Sequence, residues 1–299
     1  MKKELGYIGL GKMGFGMVER LLECGYSVVV YDKNEDAVNA LVEKGARRAT
    51  SLTELVSGLT LPRLVWIMVP HNAVDAVLGD LAPHLTPGDT IIDGGNSPYL
   101  ESVRRSKELG EKQIRFLDAG ISGGPSGARG GACVMVGGDE SLYREYESLF
   151  KDIASENAYG YMGTSGAGHF VKMVHNGIEY GMMQALAEGF AVLRASEFGI
   201  NLTEVARVYN NRSVIESRLV GWLENAYKEY GEGLEAISGE VASTGEGAWT
   251  VEAAKRLNVP APIIEGSLAF REQSKGNPSY LGKILSALRN QFGGHSITS

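Results

Sequence analysis

A chain of 299 residues is long enough for two domains of ordinary size, and a hydrophobic content of 43% predicts packed cores. The net charge of −7 disfavours general attraction to nucleic acid or acidic lipid, so we expect neither a nucleic acid nor a membrane partner. No apolar run reaches the roughly 18 residues of a membrane span, which favours a cytoplasmic protein. Cys24 and Cys133 lack the spacing of metal ligands, and no metal site is expected.

Apolar runs of strand length alternate with amphipathic stretches through about residue 163. The predicted strands span residues 4–10, 27–32, 64–69, 90–93, 114–119 and 133–137. The predicted helices span residues 12–24, 34–44, 72–82, 98–110 and 139–153. This alternation is typical of βαβ units and predicts an α/β fold with a doubly wound, largely parallel sheet.

Beyond Gly163 helical periodicities dominate and no comparable β-branched run appears. The change falls in YMGTSGAG, residues 161–168, whose glycines and serine suit a linker. We therefore predict two domains, an α/β domain over residues 1–163 and an all-helical C-terminal domain over residues 164–299.

A glycine motif follows the first predicted strand and opens the first predicted helix. Gly9, Gly11 and Gly14 form GxGxxG, which allows a tight turn and leaves helix N–H groups for a pyrophosphate. The second strand ends at Asp32, where a carboxylate can accept hydrogen bonds from an adenosine ribose. The pattern predicts a Rossmann-type dinucleotide site; the alternative is a tight packing turn.

The carboxylate of Asp32 would repel a 2′-phosphate, so we expect NAD as the cofactor and weaker use of NADP, although Lys33 leaves room for a relaxed preference. The predicted cofactor-binding residues are Gly9, Gly11, Lys12, Met13, Gly14, Asp32, Val69 and Asn96.

Two polar loops follow later strands, IIDGGNS over residues 91–97 and GISGGPSGARGGA over residues 120–132. Both lie at carboxyl ends of strands, where open α/β sheets bind ligands. Ser122, Gly123 and Gly124 could offer a hydroxyl and N–H groups to a carboxylate. Simple turn chemistry is the alternative for either loop.

The stretch GAGHFVKMVHNGIEYG, residues 166–181, predicts a helix with one polar line. Its four polar groups share a face, because they lie at offsets 0, 3, 4 and 7: Lys172, His175, Asn176 and Glu179. The other directions are apolar, Ile178 and Met182 included, which predicts a buried helix. We expect the polar line to face a ligand cleft where the two domains meet; a solvated helix face is the alternative.

These motifs are similar to those of a known family. GLGKMG, GGNS, GISGGPSGARGG and GAGHFVKMVHNGIEYG resemble the β-hydroxyacid dehydrogenases. Within them, His175 and the pair Glu179 and Tyr180 resemble the decarboxylating 6-phosphogluconate dehydrogenases. The resemblance covers the whole chain, whose length is similar to the short form with an unduplicated helical domain.

The resemblance implies oxidation of 6-phosphogluconate at C3, loss of CO2 and protonation of an enediol to give ribulose 5-phosphate. A desolvated Lys172 has a lowered pKa and is the predicted general base, while Glu179 is the predicted proton donor to C1. His175 and Asn176 are then expected to orient hydroxyl groups, and Asn96 to bridge substrate and nicotinamide. Ser122 and the glycines after it are expected to hold the carboxylate.

The substrate phosphate requires local cations in a chain of negative net charge. The candidates are Tyr180, Arg271, Arg289 and His295, the last two in a tail, LRNQFGGH, that resembles the family's R..FG.H pattern. In relatives this tail enters the neighbouring subunit's site, which implies a homo-oligomer, a dimer or tetramer, with a shared active site. The alternative is that these arginines are solvated surface charges.

The chain departs from the long forms at ASTGEGAWT, residues 242–250. Thr244 and Glu246 stand where those relatives carry a lysine and a threonine that meet the phosphate. Two other functions stay open, a dehydrogenase of a smaller β-hydroxy acid such as 3-hydroxyisobutyrate or a tartronate semialdehyde reductase, and a non-catalytic NAD-binding module.

Overall fold

The computed structural model describes residues 3–242 and 245–297. The chain divides into two compact units, Met1–Met173 and Val174–Ser299. The boundary falls inside a helix, whereas the sequence places a domain boundary after Gly163; that boundary stays a prediction. No helix within the described residues combines the length and the apolar character needed to cross a membrane.

The first unit is built on one sheet. Its strands are β1 (Glu4–Ile8), β2 (Ser27–Tyr31), β3 (Arg47–Arg48), β4 (Leu64–Ile67), β5 (Thr90–Asp93), β6 (Arg115–Ser122), β7 (Ala132–Gly138) and β8 (Ala154–Gly163). The spatial order is β3-β2-β1-β4-β5-β6-β7-β8. Strands β1 to β6 are parallel, β7 runs antiparallel to β6, and β8 runs parallel to β7.

Helices connect these strands. They are α1 (Lys12–Glu23), α2 (Glu35–Val42), α3 (Leu52–Ser57), α4 (Val74–Leu81), α5 (Tyr99–Gly110), α6 (Gly124–Gly130) and α7 (Glu140–Ile153). Alternate residues of the central strands join two separate cores, since Leu64 and Trp66 pack in one cluster and Val65 and Ile67 in the other. The sheet is therefore covered on both faces, as the continuous apolar runs predict.

The second unit is helical. Helix α8 (Ala167–Ala195) begins in the first unit and continues into the second. The remaining helices are α9 (Leu202–Tyr209), α10 (Arg218–Tyr230), α11 (Glu246–Arg256), α12 (Pro262–Ser274) and α13 (Tyr280–Gly293). Their core includes Phe190, Leu223 and Leu288. The predicted fold class, a Rossmann-type sheet followed by an all-helical part, is confirmed.

Three local predictions are wrong. Residues 120–132 do not form a loop throughout, because β6 continues to Ser122 and α6 follows, with a proline in its first turn, where proline is favourable. The predicted linker 161–168 is shorter, since β8 reaches Gly163 and α8 begins at Ala167. The burial predicted for α8 fails at Ile178 and Met182, which are 53% and 45% exposed.

Candidate functional site

The turn between β1 and α1 uses its glycines in different ways. Gly9 has φ of 98°, and a Cβ atom there would lie within 3.0 Å of the Met68 carbonyl. A Cβ at Gly14 would collide with the carbonyl of Gly9. A Cβ at Gly11, the N-cap of α1, would meet nothing within 4 Å. The fold itself requires Gly9 and Gly14, whereas Gly11 leaves its backbone open to the approach of a ligand.

Asp32 lies beside this turn, just after β2. One carboxylate oxygen accepts a hydrogen bond from the N–H of Leu10 at 2.5 Å, and the other accepts from Asn34 at 2.7 Å. The carboxylate is thereby fixed at the carboxyl ends of β1 and β2, where the ribose of a dinucleotide bound on α1 is recognised in this fold. The residues present therefore fit the adenosine half of a dinucleotide.

The other predicted cofactor residues lie along the same edge of the sheet. Lys12 and Met13 form the first turn of α1, with Lys12 exposed and Met13 partly buried against the core. Val69 follows β4 and is half-buried. Asn96 follows β5 and its side-chain amide pairs with the backbone of Ile121, accepting from N–H at 3.2 Å and donating to C=O at 3.5 Å.

The loop that carries Asn96 has a buried charged support that the sequence analysis missed. Asp93 is fully buried and accepts hydrogen bonds from Gly95 N–H, the Ser97 hydroxyl and an Arg105 guanidinium. Arg105, on α5, is itself 2% exposed. The available signal was an aspartate ending an apolar strand with an arginine twelve residues later, because such a charge is buried only when it is paired.

The predicted carboxylate-binding residues lie at the junction of β6 and α6. Ser122 ends β6 and pairs in register with Cys133 of β7. Gly123 is the N-cap of α6 with φ of 129°, and Gly124 begins the helix with φ of 63°. Only glycine adopts such angles freely, so the turn from β6 into α6 depends on these two residues.

Lys172 is 7% exposed and packs tightly within the first unit. A Cβ atom on Gly120 of β6 would lie within 3.0 Å of Lys172 Cβ, so the missing side chain makes room for the lysine stem. The ammonium group also acts electrostatically on the thiol of Cys133, whose pKa is raised mainly by burial and lowered in part by Lys172.

The start of α8 is held by Asp118 of β6, which is fully buried. Its carboxylate accepts hydrogen bonds from the N–H groups of Gly166 at 2.6 Å and His169 at 2.8 Å. A carboxylate at a helix N-terminus satisfies free donors and complements the helix dipole. The start of the helix that carries Lys172 is thus held by a residue 48 and 51 positions away in sequence from the two N–H groups that it binds.

The next turns of α8 carry the rest of the polar line. His175 Nδ1 lies 2.9 Å from Asn176 Oδ1 and 3.8 Å from Glu179 Oε2. Asn176 is 7% exposed, while the side chain of Glu179 is 20% exposed. A Cβ on Gly177 would collide with the side chain of Thr250 on α11, so α8 and α11 are closely packed at Gly177 within the second unit.

Tyr180 and Arg271 form a buried stack in the second unit. The Arg271 guanidinium lies 3.5 Å from the centre of the Tyr180 ring, and a Cβ on Gly247 would meet the same ring. Arg271 is 2% exposed and donates to the carbonyl of Ala242 at 3.3 Å. Burial lowers the pKa of Arg271 to about 10, an effect that Tyr180 partly offsets and Arg289 increases. The arginine is therefore a desolvated cation at neutral pH.

Arg289 and His295 line a cavity of about 430 Å³ in the second unit. Arg289 is 7% exposed, and burial lowers its pKa against the opposing influence of Tyr180, Glu246 and Glu179. The same cavity is lined by polar residues that the sequence analysis missed: Glu240, Lys275, Ser238, Ser286 and Ser296. They are scattered over 59 positions, from 238 to 296, so no motif marks them. Thr244 lies outside the described residues.

The sheet order, the glycine turn and the anchored Asp32 together define a Rossmann-type, dinucleotide-binding protein with a helical second unit. A family model for the NAD-binding domain of 6-phosphogluconate dehydrogenase matches residues 4–163, and a model for that enzyme's C-terminal domain matches residues 168–280. The chain belongs to the 6-phosphogluconate dehydrogenase family, and the resemblance seen in its motifs is confirmed.

Individual relatives agree with this assignment. YqeC of Bacillus subtilis, named provisionally as a 6-phosphogluconate dehydrogenase, is 50% identical over 98% of each chain. The NAD(+)-dependent, decarboxylating 6-phosphogluconate dehydrogenase of Haloferax volcanii is 43% identical over 98% of each chain. The solved 6-phosphogluconate dehydrogenase of Plasmodium falciparum has a TM-score of 0.83 at 29% identity, and the match covers 91% of this chain and 62% of that one.

Proposed function

We propose that the chain oxidises and decarboxylates 6-phosphogluconate to ribulose 5-phosphate and CO2, with NAD as the oxidant. The observation that carries the proposal is the burial of Lys172, a lysine 7% exposed on the helix that also bears Asn176 and Glu179. A buried lysine with a polar line along its helix face is a poor structural element and a good proton-transfer group.

Lys172 serves as the general base. NAD, when bound, supplies the hydride acceptor. Desolvation favours the neutral amine of Lys172, which takes the proton of the C3 hydroxyl group. The resulting ammonium group then donates to the C3 carbonyl oxygen, which stabilises the negative charge that develops there as the carboxylate leaves as CO2.

Glu179 serves as the acid for the second half of the reaction. It lies seven residues after Lys172, about 10 Å along α8, and delivers a proton to C1 of the enediol. His175, which lies 2.9 Å from Asn176 and 3.8 Å from Glu179, orients the substrate hydroxyls together with Asn176. Asn96 bridges substrate and nicotinamide.

The two charged ends of the substrate have separate binding groups. Ser122 and the N–H groups of Gly123 and Gly124 bind the carboxylate. The phosphate brings roughly −1.5 to −2 charges and is bound by Tyr180, Arg271, Arg289 and His295. Support for this part is the desolvation of both guanidinium groups, since a buried cation interacts more strongly with an anion than an exposed one.

Asp32 sets a preference for NAD over NADP. Its carboxylate is held by the N–H groups of Leu10 and Asn34, so it cannot rotate away from an approaching 2′-phosphate without breaking two hydrogen bonds. The test is kcat/KM for both cofactors in the wild type and in Asp32→Ser, with exposed Asp36→Ser as the control. We expect the ratio of kcat/KM for NAD to kcat/KM for NADP to fall in Asp32→Ser and to stay unchanged in Asp36→Ser. A wild type that uses NADP as well as NAD would contradict the assignment.

We infer a homo-oligomer, a dimer or tetramer with a shared active site. Apolar side chains on α8 are exposed in the single chain, with Ile178 at 53%, Met182 at 45% and Val192 at 71%. A second copy of the chain is the natural cover for such a face. Lys172→Ala and Arg289→Ala subunits, refolded together, regain activity if the tail serves its neighbour. They stay inactive if Arg289 serves the Tyr180 and Arg271 of its own chain.

The assignment of domains follows from these roles. Residues 1–163 form the NAD-binding domain, which also contributes Asn96, Ser122, Gly123 and Gly124 to the substrate site, and residues 164–299 form the substrate and oligomerisation domain. The decisive experiment measures NADH formation and CO2 release with 6-phosphogluconate and, separately, with 3-hydroxyisobutyrate. Both products from 6-phosphogluconate support the proposal. NADH without CO2 from the smaller acid favours the dehydrogenase of a smaller β-hydroxy acid, and no turnover of either favours a non-catalytic module.

A further inference from the structure

The loop after β5 rests on a buried charged network within the first unit. Arg105 Nη1 donates to Asp93 Oδ2 at 3.1 Å and to the Ser97 hydroxyl at 2.7 Å. Its Nε donates to Asp75 of α4 at 2.8 Å. Because the guanidinium is planar and rigid, these bonds fix the middle of α5, the start of α4 and the loop relative to one another. The network costs desolvation energy, which selection for stability alone does not explain.

Asn96 is the residue that this loop presents. It lies between Gly95 and Ser97, both of which bond to Asp93, and has φ of 51°, a left-handed conformation that asparagine tolerates better than most residues with a side chain. Its side-chain amide pairs with Ile121 on β6. Asn96 is therefore held from both sides, by the charged network through its neighbours and by β6 through its own amide.

We propose that Arg105 is a positioning residue that acts through Asn96 on the binding of the nicotinamide and the hydroxy acid. The inference rests on the proposed function for the role of Asn96. Lysine cannot replace the arginine, because one ammonium group cannot reach Asp93 and Asp75 in the two directions that Nη1 and Nε cover. A displacement of Asn96 by about 1 Å is enough to lower turnover strongly.

The test is a double-mutant cycle of Arg105→Lys with Asn96→Ala. The matched control is Arg104→Lys, because Arg104 also bonds to Asp75 but is exposed and bonds otherwise to Glu101 and Glu108. The measurements are kcat/KM with 6-phosphogluconate and NAD, and the dissociation constant of NADH. We expect Arg105→Lys to lower kcat/KM by about tenfold or more in the wild-type background and to have no further effect in Asn96→Ala.

Each of three results would overturn the proposal. They are additive losses in the double-mutant cycle, an unchanged kcat/KM in Arg105→Lys, and a loss of kcat/KM in Arg104→Lys equal to that in Arg105→Lys. If Arg105→Lys does not fold, Ser97→Ala takes its place in the same cycle, because it removes the two hydrogen bonds that Ser97 makes with Asp93 and Arg105 and leaves the charged groups in place. If the wild type does not turn over 6-phosphogluconate, the proposed function fails by itself, and the NADH dissociation constants of the same four proteins still decide whether Arg105 acts through Asn96.

Discussion

Two buried basic side chains in this molecule are accommodated in different ways. Lys172, in the first unit, lies against backbone: its stem occupies the space above Gly120, and Asp118 fixes the start of its helix. Arg271, in the second unit, lies against an aromatic ring, that of Tyr180, and its other contacts are a carbonyl and a sulfur atom. The lysine is held by rigid geometry, whereas the arginine is held by packing of soft, polarisable groups.

This difference matches the proposed tasks. A proton-transfer group must lie within hydrogen-bond reach of one particular atom, and small displacements are costly. A phosphate-binding group needs charge in a desolvated place and tolerates more variation in position. Changes near Lys172 should therefore act on turnover, and changes near Arg271 on affinity.

Removal of the lysine should have the largest effect. We expect Lys172→Ala to lower kcat by about 10³-fold, because loss of general base catalysis removes that order of rate enhancement. The measurement is steady-state NADH formation, with Lys151→Ala as control, since Lys151 is exposed on α7. A kcat within tenfold of the wild type would rule out the base assignment.

A side chain at Gly120 should displace Lys172 while the lysine itself is not substituted. The Cβ of Gly120→Ala would overlap Lys172 Cβ and the carbonyl of Gly168, so we expect kcat to fall by about 100-fold and the free energy of unfolding by about 1–3 kcal/mol.

The control for this substitution is Gly79→Ala in α4, where a Cβ would meet nothing within 4 Å. Alanine there should raise the free energy of unfolding by about 0.5–1 kcal/mol and leave kcat unchanged. Equal kcat values for both variants, with Gly120→Ala folded, would show that the lysine is not held by rigid packing.

The sequence was sufficient to predict the strands and helices whose buried residues form a recognisable apolar pattern. All six predicted strands and five predicted helices of the first unit are present, with ends that differ by a few residues. Strand β8 was missed because it is half-exposed and reads ASENAYGYMG, without an apolar run. Strand β3 has only two residues and α3 only six, too short for a periodicity to appear.

The candidate site also contains residues that the sequence could predict and residues that it could not. The polar line on α8 follows from helical spacing and needs no knowledge of the fold. Asp118 could not be found by spacing, because the N–H groups that it binds lie on another element and only the fold brings them together. The exposure of Ile178 was also beyond the pattern, since an apolar residue is equally suited to a core and to a contact with another subunit.

Substitution of Arg271 tests the other half of the comparison, the expected effect on substrate affinity rather than on turnover. We expect Arg271→Met to raise KM for 6-phosphogluconate by about 10- to 100-fold, since a hydrogen bond to a charged group contributes about 1.5–3 kcal/mol. The value of kcat should change much less, because the phosphate lies away from the reacting carbons. With gluconate, which lacks the phosphate, wild type and variant should have similar KM values. A large loss of kcat instead would place Arg271 in the chemistry.

The same variant should become more stable. Because the pKa of Arg271 is lower in the folded chain than in the unfolded chain, burial of its charge costs stability at every pH below about 10, and the cost falls as pH rises above that value. Near neutral pH, Arg271→Met should raise the free energy of unfolding by about 1–3 kcal/mol. Arg194→Met, which removes an exposed arginine stacked on Tyr280, should give no such gain.

We expect the smallest effect at Glu246. Its substitution tests whether the balance of charges around Arg271 and Arg289 governs phosphate binding. Its carboxylate raises the pKa of Arg289 and offsets part of the desolvation of that group. A bound phosphate would compete with this carboxylate for the same cation, so Glu246→Gln should lower KM for 6-phosphogluconate by about two- to fivefold and leave kcat unchanged. The variant should also lose a little stability, because Arg289 remains buried with less compensation. A higher KM would mean that Glu246 holds Arg289 in its binding position, and that geometry governs this cluster as it governs the lysine.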